Sequence, residues 1–286
     1  MSNDGLTVYG PEVGMSGLSA SLDDFIRRET GLEIARRFFS IHSRASIASF
    51  YSLTGSTGGE HWRLVLDLFD MRPACATIWS GPNALERLQK LKGNTQPARA
   101  ARGTVRGRFF CDNPVTNLIH VSDDNAIMEA ELKILRQQMA GDVDTGWLAA
   151  ASGRISHSSF RVLLDVLGDN RTASASDGEK DGDAIEHARF CYRRAYLLAE
   201  KMDTLPAIQD YFRGEAEGLE ALLRRGPVLS AWDRLILEAG LFSMPLWSAL
   251  LDSDSSPAHD QAPAVAAHHS RRPRVDPERQ EDDRPR

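Results

Sequence analysis

Nowhere in the chain do about 18 apolar residues run together, the length that a membrane-spanning helix needs, and the sequence therefore predicts no helical membrane span. Cysteine is scarce. The three present, Cys75, Cys111 and Cys191, lie far apart and never in a C-x-x-C pair. That argues against a disulfide scaffold or a zinc ribbon and predicts a reducing, cytoplasmic setting. The opening residues, MSNDGLTVYGPEV, have neither the basic stretch nor the apolar core of a secretory signal. A Walker A motif is missing too: Gly55-Ser-Thr-Gly-Gly59 has no lysine and reads as a loop. No internal repeat is present. His268-His269 lacks a nearby cysteine or third histidine, which is too little for a metal site.

What is there fits a globular protein. Apolar residues make up 42% and charged residues 26% of 286 residues, about twice the length of a ~150-residue domain, so two units or one with appendages are expected. The net charge of -6 is unevenly spread: residues 1–140 hold 16 basic and 15 acidic side chains, the remainder 18 and 25. Within the first part, Glu86 to Arg108 carries seven cations (Arg87, Lys90, Lys92, Arg99, Arg102, Arg106 and Arg108) against one acid. Such a cluster suits a small polyanion, such as a nucleotide phosphate chain, or is a solvated arginine-rich loop. It is too short for a nucleic-acid footprint, and no nucleic-acid partner is expected.

Periodicity divides the chain. Leu6 to Tyr9 and Ala74 to Trp79 read as strands, and Glu60 to Asp70 and Asn83 to Leu91 as helices, with Asn83 as a cap. Leu22 to Phe39 has apolar residues at helical spacing, interrupted at Thr30-Gly31, and Ile47 to Leu53 suits either a strand or a helix start. Leu118-Ile119-His120 ends a strand, and Ser122-Asp123-Asp124 caps the helix that follows. This alternation predicts an α/β or α+β sandwich over residues 5–140. Residues 141–183 read as a connecting segment whose end, Gly168 to Gly182, is a polar linker; residues 184–251 as a small all-helical module; and residues 252–286 as a disordered tail.

The chemistry concentrates between Gly93 and Glu131. His120 ends an apolar strand where side chains project from a sheet, Asn117 lies three residues before it, and Glu131 lies on the next helix within reach of the imidazole. Thr95, Arg102 and Arg106 offer donors for phosphate. A phosphate-accepting histidine needs this set: an imidazole oriented through its second nitrogen, with cations to stabilise the transferring group.

Asn117-Leu-Ile-His120-Val-Ser122-Asp123, behind Thr95-Gln-Pro97 and Gly103-Thr104-Val-Arg106-Gly107, resembles the active-site half of a nucleoside diphosphate kinase. That family's signature is an N-x-x-H-x-S-D segment following T-x-P and G-T-x-R-G segments. The likeness extends faintly upstream, through Pro73 to Trp79 and Tyr51, and covers about residues 5 to 140. It implies a ferredoxin-like sandwich and transfer of a γ-phosphoryl group from ATP or another nucleoside triphosphate to a diphosphate, through phosphohistidine at His120. Mg²⁺ would ride on the phosphates, and the protein would be a homo-oligomer. By the same resemblance Ser122 and Glu131 orient the imidazole, Asn117 contacts sugar and phosphate, Thr95 and Arg106 hold phosphates, and Tyr51 buttresses the phosphoryl position. His61 and Trp62 fall where the family clamps the base; a core helix residue is the other reading of Trp62. Two departures stand out. Gly10 occupies the place of a phosphate-contacting lysine, and Gln89 that of a phosphate-binding arginine. Arg99, Arg102 and Arg108 are candidates to replace those charges. Two other functions stay open: a catalytically impaired nucleotide-binding module whose helical half binds a protein partner, or a phosphotransferase with a non-nucleotide acceptor.

Overall fold

Alternation of side chains builds the sheet. The computed structural model describes residues 4–141, 155–169 and 183–253. Strand β1 (Asp4–Tyr9) sends Leu6 and Val8 to one apolar face and Tyr9 to the other. β3 (Pro73–Ser80) divides Ala74 and Ala76 from Cys75 and Trp79, and β2 (Glu33–Ile41) divides Phe38 from Phe39. Both parities are apolar, so the sheet must be covered on both sides. With β4 (Ile119–Val121) and β5 (Met139–Gly141) the order is β4-β1-β3-β2-β5, every neighbouring pair antiparallel. The first four strands stand in ferredoxin-like order, as expected, and β5 is added at the edge.

Helices α1 (Pro11–Met15), α2 (Ser19–Thr30), α5 (Ala84–Lys92) and α6 (Val105–Arg108) contribute to the core on the Tyr9 and Trp79 face. The opposite face packs on α3 (Arg44–Ser52), α4 (Trp62–Phe69) and α7 (Asn125–Gln137). Phe38 and Phe39, although at helical spacing, belong to a strand: Gly31 adopts a φ of 67° and donates its N–H to Arg27 O, which ends α2. The ambiguous Ile47 to Leu53 stretch is mostly helix, capped by Ser43. Asn83 does precede α5, but its left-handed φ of 55° leaves its side chain without a capping bond. Asp124 caps α7 by accepting from Ile127 N–H at 2.8 Å.

Beyond the sheet lie α8 (Ser159–Val166), α9 (Ala184–Lys201), α10 (Leu205–Phe212), α11 (Ala216–Arg225), α12 (Ala231–Gly240) and α13 (Met244–Ser253). Thus the segment read as connecting contains a buried helix, α8. Apolar packing also runs across the division expected at residue 141. One continuous core joins Leu6, Leu68 and Leu135 to Phe160, Leu163, Tyr211 and Trp247. Most of the polar linker, residues 170–182, and the tail from residue 254 lie outside the described residues. No single described helix is long and apolar enough to cross a membrane; α12 and α13 pass only as a pair bent by 55°.

Asp112 makes the join. It is 3% exposed, and its carboxylate accepts from Ser158 Oγ (2.6 Å), Ser159 N–H (2.9 Å) and Phe160 N–H (2.9 Å), so it closes the N-terminus of α8 from a distant loop. Its backbone carbonyl accepts from Ser243 Oγ (2.6 Å) and Trp247 Nε1 (2.9 Å). Next to it, Asn113 Nδ2 donates to Ser159 Oγ at 3.1 Å, and Thr116 Oγ1 donates to the His157 carbonyl at 2.8 Å. The loop leading to Asn117 and His120 is therefore fastened to the helical module.

Candidate active site

Three side chains form a relay at the end of β4. His120 Nε2 donates to Glu131 Oε1 at 2.7 Å, and Ser122 Oγ donates to Glu131 Oε2 at 2.5 Å. Glu131 is fully buried on α7, whereas His120 keeps 18% of its side chain exposed. A carboxylate accepts only, so Nε2 carries the proton and Nδ1 keeps its lone pair. Phe50 and Tyr51 flank the ring edge-on, with centroids at 5.1 and 6.2 Å. The imidazole is thus gripped on one nitrogen and on its faces, and it opens onto a cleft.

That cleft has a volume of about 210 Å³ and is walled by Tyr51, Trp62, Thr95, Arg106, Asn117 and His120. These are six of the expected site residues, drawn from five separate stretches of sequence. Tyr51 meets Trp62 edge-on at 5.6 Å, and the indole lines the cleft while packing, partly buried, against the core. Burial, and next the nearby Glu12 carboxyl, push the Tyr51 phenol above its ordinary range, so it stays a donor at neutral pH.

Arg106 holds the floor. Its Nε donates to the Asn117 carbonyl (3.0 Å), Nη1 to the Gly93 carbonyl (3.0 Å) and Thr95 Oγ1 (3.4 Å), and Nη2 to Asn117 Oδ1 (3.0 Å) and the Ile119 carbonyl (2.7 Å). All five guanidinium N–H groups are engaged. Gly107 follows because a Cβ there would stand 2.1 Å from the Ala101 carbonyl oxygen, so the tight turn before α6 accepts no side chain. Asn117 is held in turn, its Nδ2 donating to the Pro114 carbonyl at 2.8 Å.

Arg102 corrects the expectation drawn from charge. It does not line the cleft; its Nε lies 2.9 Å from Asp183, the cap of α9, which accepts from Ile185 and Glu186 N–H on its other oxygen. The Asp183 carboxylate attracts the guanidinium, and Arg102 therefore faces the helical module. Arg108 lies over the Phe25 ring at 5.6 Å, away from the cleft. Gln89 donates to the backbone carbonyls of Ser122 (2.9 Å) and Asp123, so it buttresses the turn after β4 and brings no charge.

Two residues were not assigned to the site from the sequence. One is Lys92, which stands in the cleft wall. The other is Glu12, 2% exposed, whose Oε1 accepts Leu118 N–H at 2.9 Å while Oε2 has no partner among the described residues. Leu118 adopts a φ of 71°, unfavourable for leucine, and this bond helps to hold the kinked approach to His120. Glu12 also explains Gly10, where a Cβ would meet Glu12 Oε2 at 2.1 Å. A lysine there would displace Glu12.

Burial pushes the Glu12 carboxyl from 4.5 up to about 7, against its own and Leu118's N–H groups and the charge of Arg106. Since the folded pKa is raised, its contribution to stability is fully present below pH 4.5 and is lost as the pH rises through about 7. The loss amounts to about 3 kcal/mol. Glu12→Gln removes this titration. Urea unfolding at pH 4.5 and 8 should show the variant gaining on wild type by about that amount between the two; an equal difference at both values would refute it.

Comparison with known proteins agrees with this geometry. Residues 19–139 match the family model described as nucleoside diphosphate kinase. Among curated relatives, the nucleoside diphosphate kinase of Symbiobacterium thermophilum is 36% identical over 70 residues, covering 24% of this chain and 46% of that protein. That of Ehrlichia canis is 29% identical over 127 residues, covering 43% of this chain and 86% of that protein. The chain thus spans about half the length of the first and most of the second. The solved structure of the Encephalitozoon cuniculi kinase aligns with 51% of this chain and 99% of its own, at 23% identity and a TM-score of 0.42. The Halobacterium salinarum kinase in complex with CDP covers 52% and 99%, at 19% identity and a TM-score of 0.42. The match to the nucleoside diphosphate kinase family model thus lies within residues 19–139, and the helical part after it lies outside the match.

Proposed function

We propose that the cleft transfers the γ-phosphoryl group of a nucleoside triphosphate to a nucleoside diphosphate by way of His120. The observation that carries this reading is the Ser122–Glu131–His120 relay, which leaves Nδ1 as the lone-pair nitrogen of a ring opening onto the cleft. In the first half-reaction the Nδ1 lone pair forms a bond to the γ-phosphorus. The bond from that phosphorus to the β,γ-bridging oxygen breaks, and its electron pair leaves on the diphosphate. Nε2 keeps its proton against Glu131, which offsets the positive charge the ring gains. A second diphosphate reverses the step.

In this reading Thr95, Arg106 and Asn117 receive the phosphates and sugar, Tyr51 braces the transferred group, and Trp62 stacks on the base. The Arg106 contact to Thr95, the longest of its five at 3.4 Å, is the one a phosphate oxygen would replace. Mg²⁺ fits as an ion carried by the nucleotide: no group of three ligating side chains occurs among the described residues, and Mg²⁺ is commonly held mainly by substrate phosphates. It would neutralise charge on the phosphate oxygens. Three buried free thiols support a reducing, cytoplasmic setting. The outer edge of β2, which β5 meets only at Phe39 and Ser40, supports assembly into a homo-oligomer.

A second reading, nucleotide binding with little transfer, is favoured by Gly10 and by Gln89, whose amide supplies no charge. The test is wild-type protein with γ-labelled ATP, Mg²⁺ and a second nucleoside diphosphate. Acid-labile, base-stable label on the protein and labelled second triphosphate are expected. Nucleotide binding without either product would favour the second reading.

A further inference from the structure

The cleft has a shortage of usable positive charge. A nucleoside triphosphate brings about four negative charges, which call for cations able to turn toward oxygen atoms. Of the Lys and Arg side chains lining the cleft, one is Arg106, whose five donors are already committed to Gly93, Thr95, Asn117 and Ile119. No cation comes from the end of β1, where Glu12 fills the space beside Gly10. Arg102 is engaged by Asp183, and Arg108 lies over Phe25.

The other lining cation is Lys92, the last residue of α5. Among the described residues its ammonium makes no hydrogen bond or ion pair, in contrast to Lys90 two positions earlier, which pairs with Glu86 at 2.6 Å. Its place suits a cation. The C-terminal end of a helix carries partial negative charge, and Asp123 and Glu131 add to the field that keeps the ammonium charged. Burial, and next the Arg106 charge, act the other way and lower its pKa. An ammonium half out of water, repelled by a neighbouring guanidinium and without a hydrogen-bonded partner, is held at a cost that a bound anion would relieve.

We propose that Lys92 is the mobile phosphate-binding cation of this cleft, beside the tethered Arg106, turning its ammonium onto the phosphate chain of a bound nucleoside di- or triphosphate. The assignment rests on the reading of the cleft as a nucleotide site. It adds a residue outside the Asn117–Asp123 and Thr95–Gly107 motifs. Lys92 contributes charge and hydrogen bonds, while His120 remains the nucleophile. The four-carbon stem of lysine lets one ammonium follow the γ-phosphoryl group as it moves toward Nδ1, which the tethered Arg106 does not allow.

The test uses the full chain, as wild type, Lys92→Met and Lys92→Arg, with ATP, ADP and adenosine titrated by calorimetry and phosphohistidine formation followed in a single turnover. Lys92→Met should weaken ATP and ADP by about tenfold or more while leaving adenosine unchanged, and slow labelling by about 10²–10³-fold. Lys92→Arg, which keeps the charge, should recover most of the nucleotide affinity. ATP binding by Lys92→Met at wild-type strength would overturn the assignment. So would an equal loss for ATP and adenosine, or a failure of Lys92→Arg to recover, since either marks a packing role. Should wild type form no phosphohistidine while Lys92→Met still loses ATP but not adenosine, the transfer reading fails and the Lys92 assignment stands.

Discussion

His120→Ala should form no phosphohistidine and lose phosphate transfer by on the order of 10⁴–10⁶-fold, the scale seen when a covalent nucleophile is removed. The relay makes the prediction specific. Glu131 is spent on Nε2 and Ser122 on Glu131, so the geometry prepares one atom, Nδ1 of His120, and no other described ring in the cleft is oriented in the same way. His61 also lines the cleft, but burial lowers its pKa and it makes no comparable bond to a carboxylate among the described residues. ATP affinity should change little in the variant, because Thr95, Arg106 and Asn117 stay in place through bonds that do not involve the imidazole. Acid-labile label persisting on His120→Ala would place the nucleophile elsewhere and end the covalent reading at this residue.

Asp112→Ala should be the most damaging substitution for stability. Its carboxylate serves four buried donors: Ser158 Oγ, the N–H groups of Ser159 and Phe160, and the neighbouring Asn113 Nδ2, which has other acceptors as well. Alanine takes that acceptor from Ser158, Ser159 and Phe160, at about 1–3 kcal/mol each, or roughly 3–9 kcal/mol together. Native stabilities of about 5–15 kcal/mol leave little after such a loss. Asp112→Asn keeps one acceptor and should cost less. Urea unfolding of both variants gives the measure. An Asp112→Ala midpoint indistinguishable from wild type would mean that the helical part is not fastened through this residue. The same result would favour residues 184–251 as a module independent of the domain before them.

The sequence displays whatever is carried by short-range pattern. Leu6, Val8 and Tyr9 alternate, so β1 is readable; Asn117, His120, Ser122 and Asp123 sit within seven residues, so the centre of the site is readable too. Contacts made at long range leave no such mark. Asp112 reaches Ser159 across 47 residues and Trp247 across 135, and nothing local to Asp112 announces either partner. Charge counting locates cations without aiming them. Arg102 and Lys92 belong to the same basic cluster, yet one faces a helix cap and the other the cleft. Glu12 shows the same limit: a carboxylate one residue after a proline reads as surface, and only its bond to Leu118, 106 residues away, reveals it as buried.

The bonds from Ser243 and Trp247 to the Asp112 carbonyl have a consequence for how the protein is made. Chains emerge from the ribosome N-terminus first at about 5–20 residues per second. Trp247 follows Asp112 by 135 residues, so roughly 7 to 27 s of synthesis separate the loop from the indole that fastens it. Through that interval the sheet can pair its strands, but the segment leading to His120 has no completed support, and the apolar face destined for Phe160 and Trp247 stays open. The nascent chain thus passes through a period in which its strands are already made but the Asp112 carbonyl lacks the donors of Ser243 and Trp247. A messenger truncated anywhere before residue 247 would leave it there.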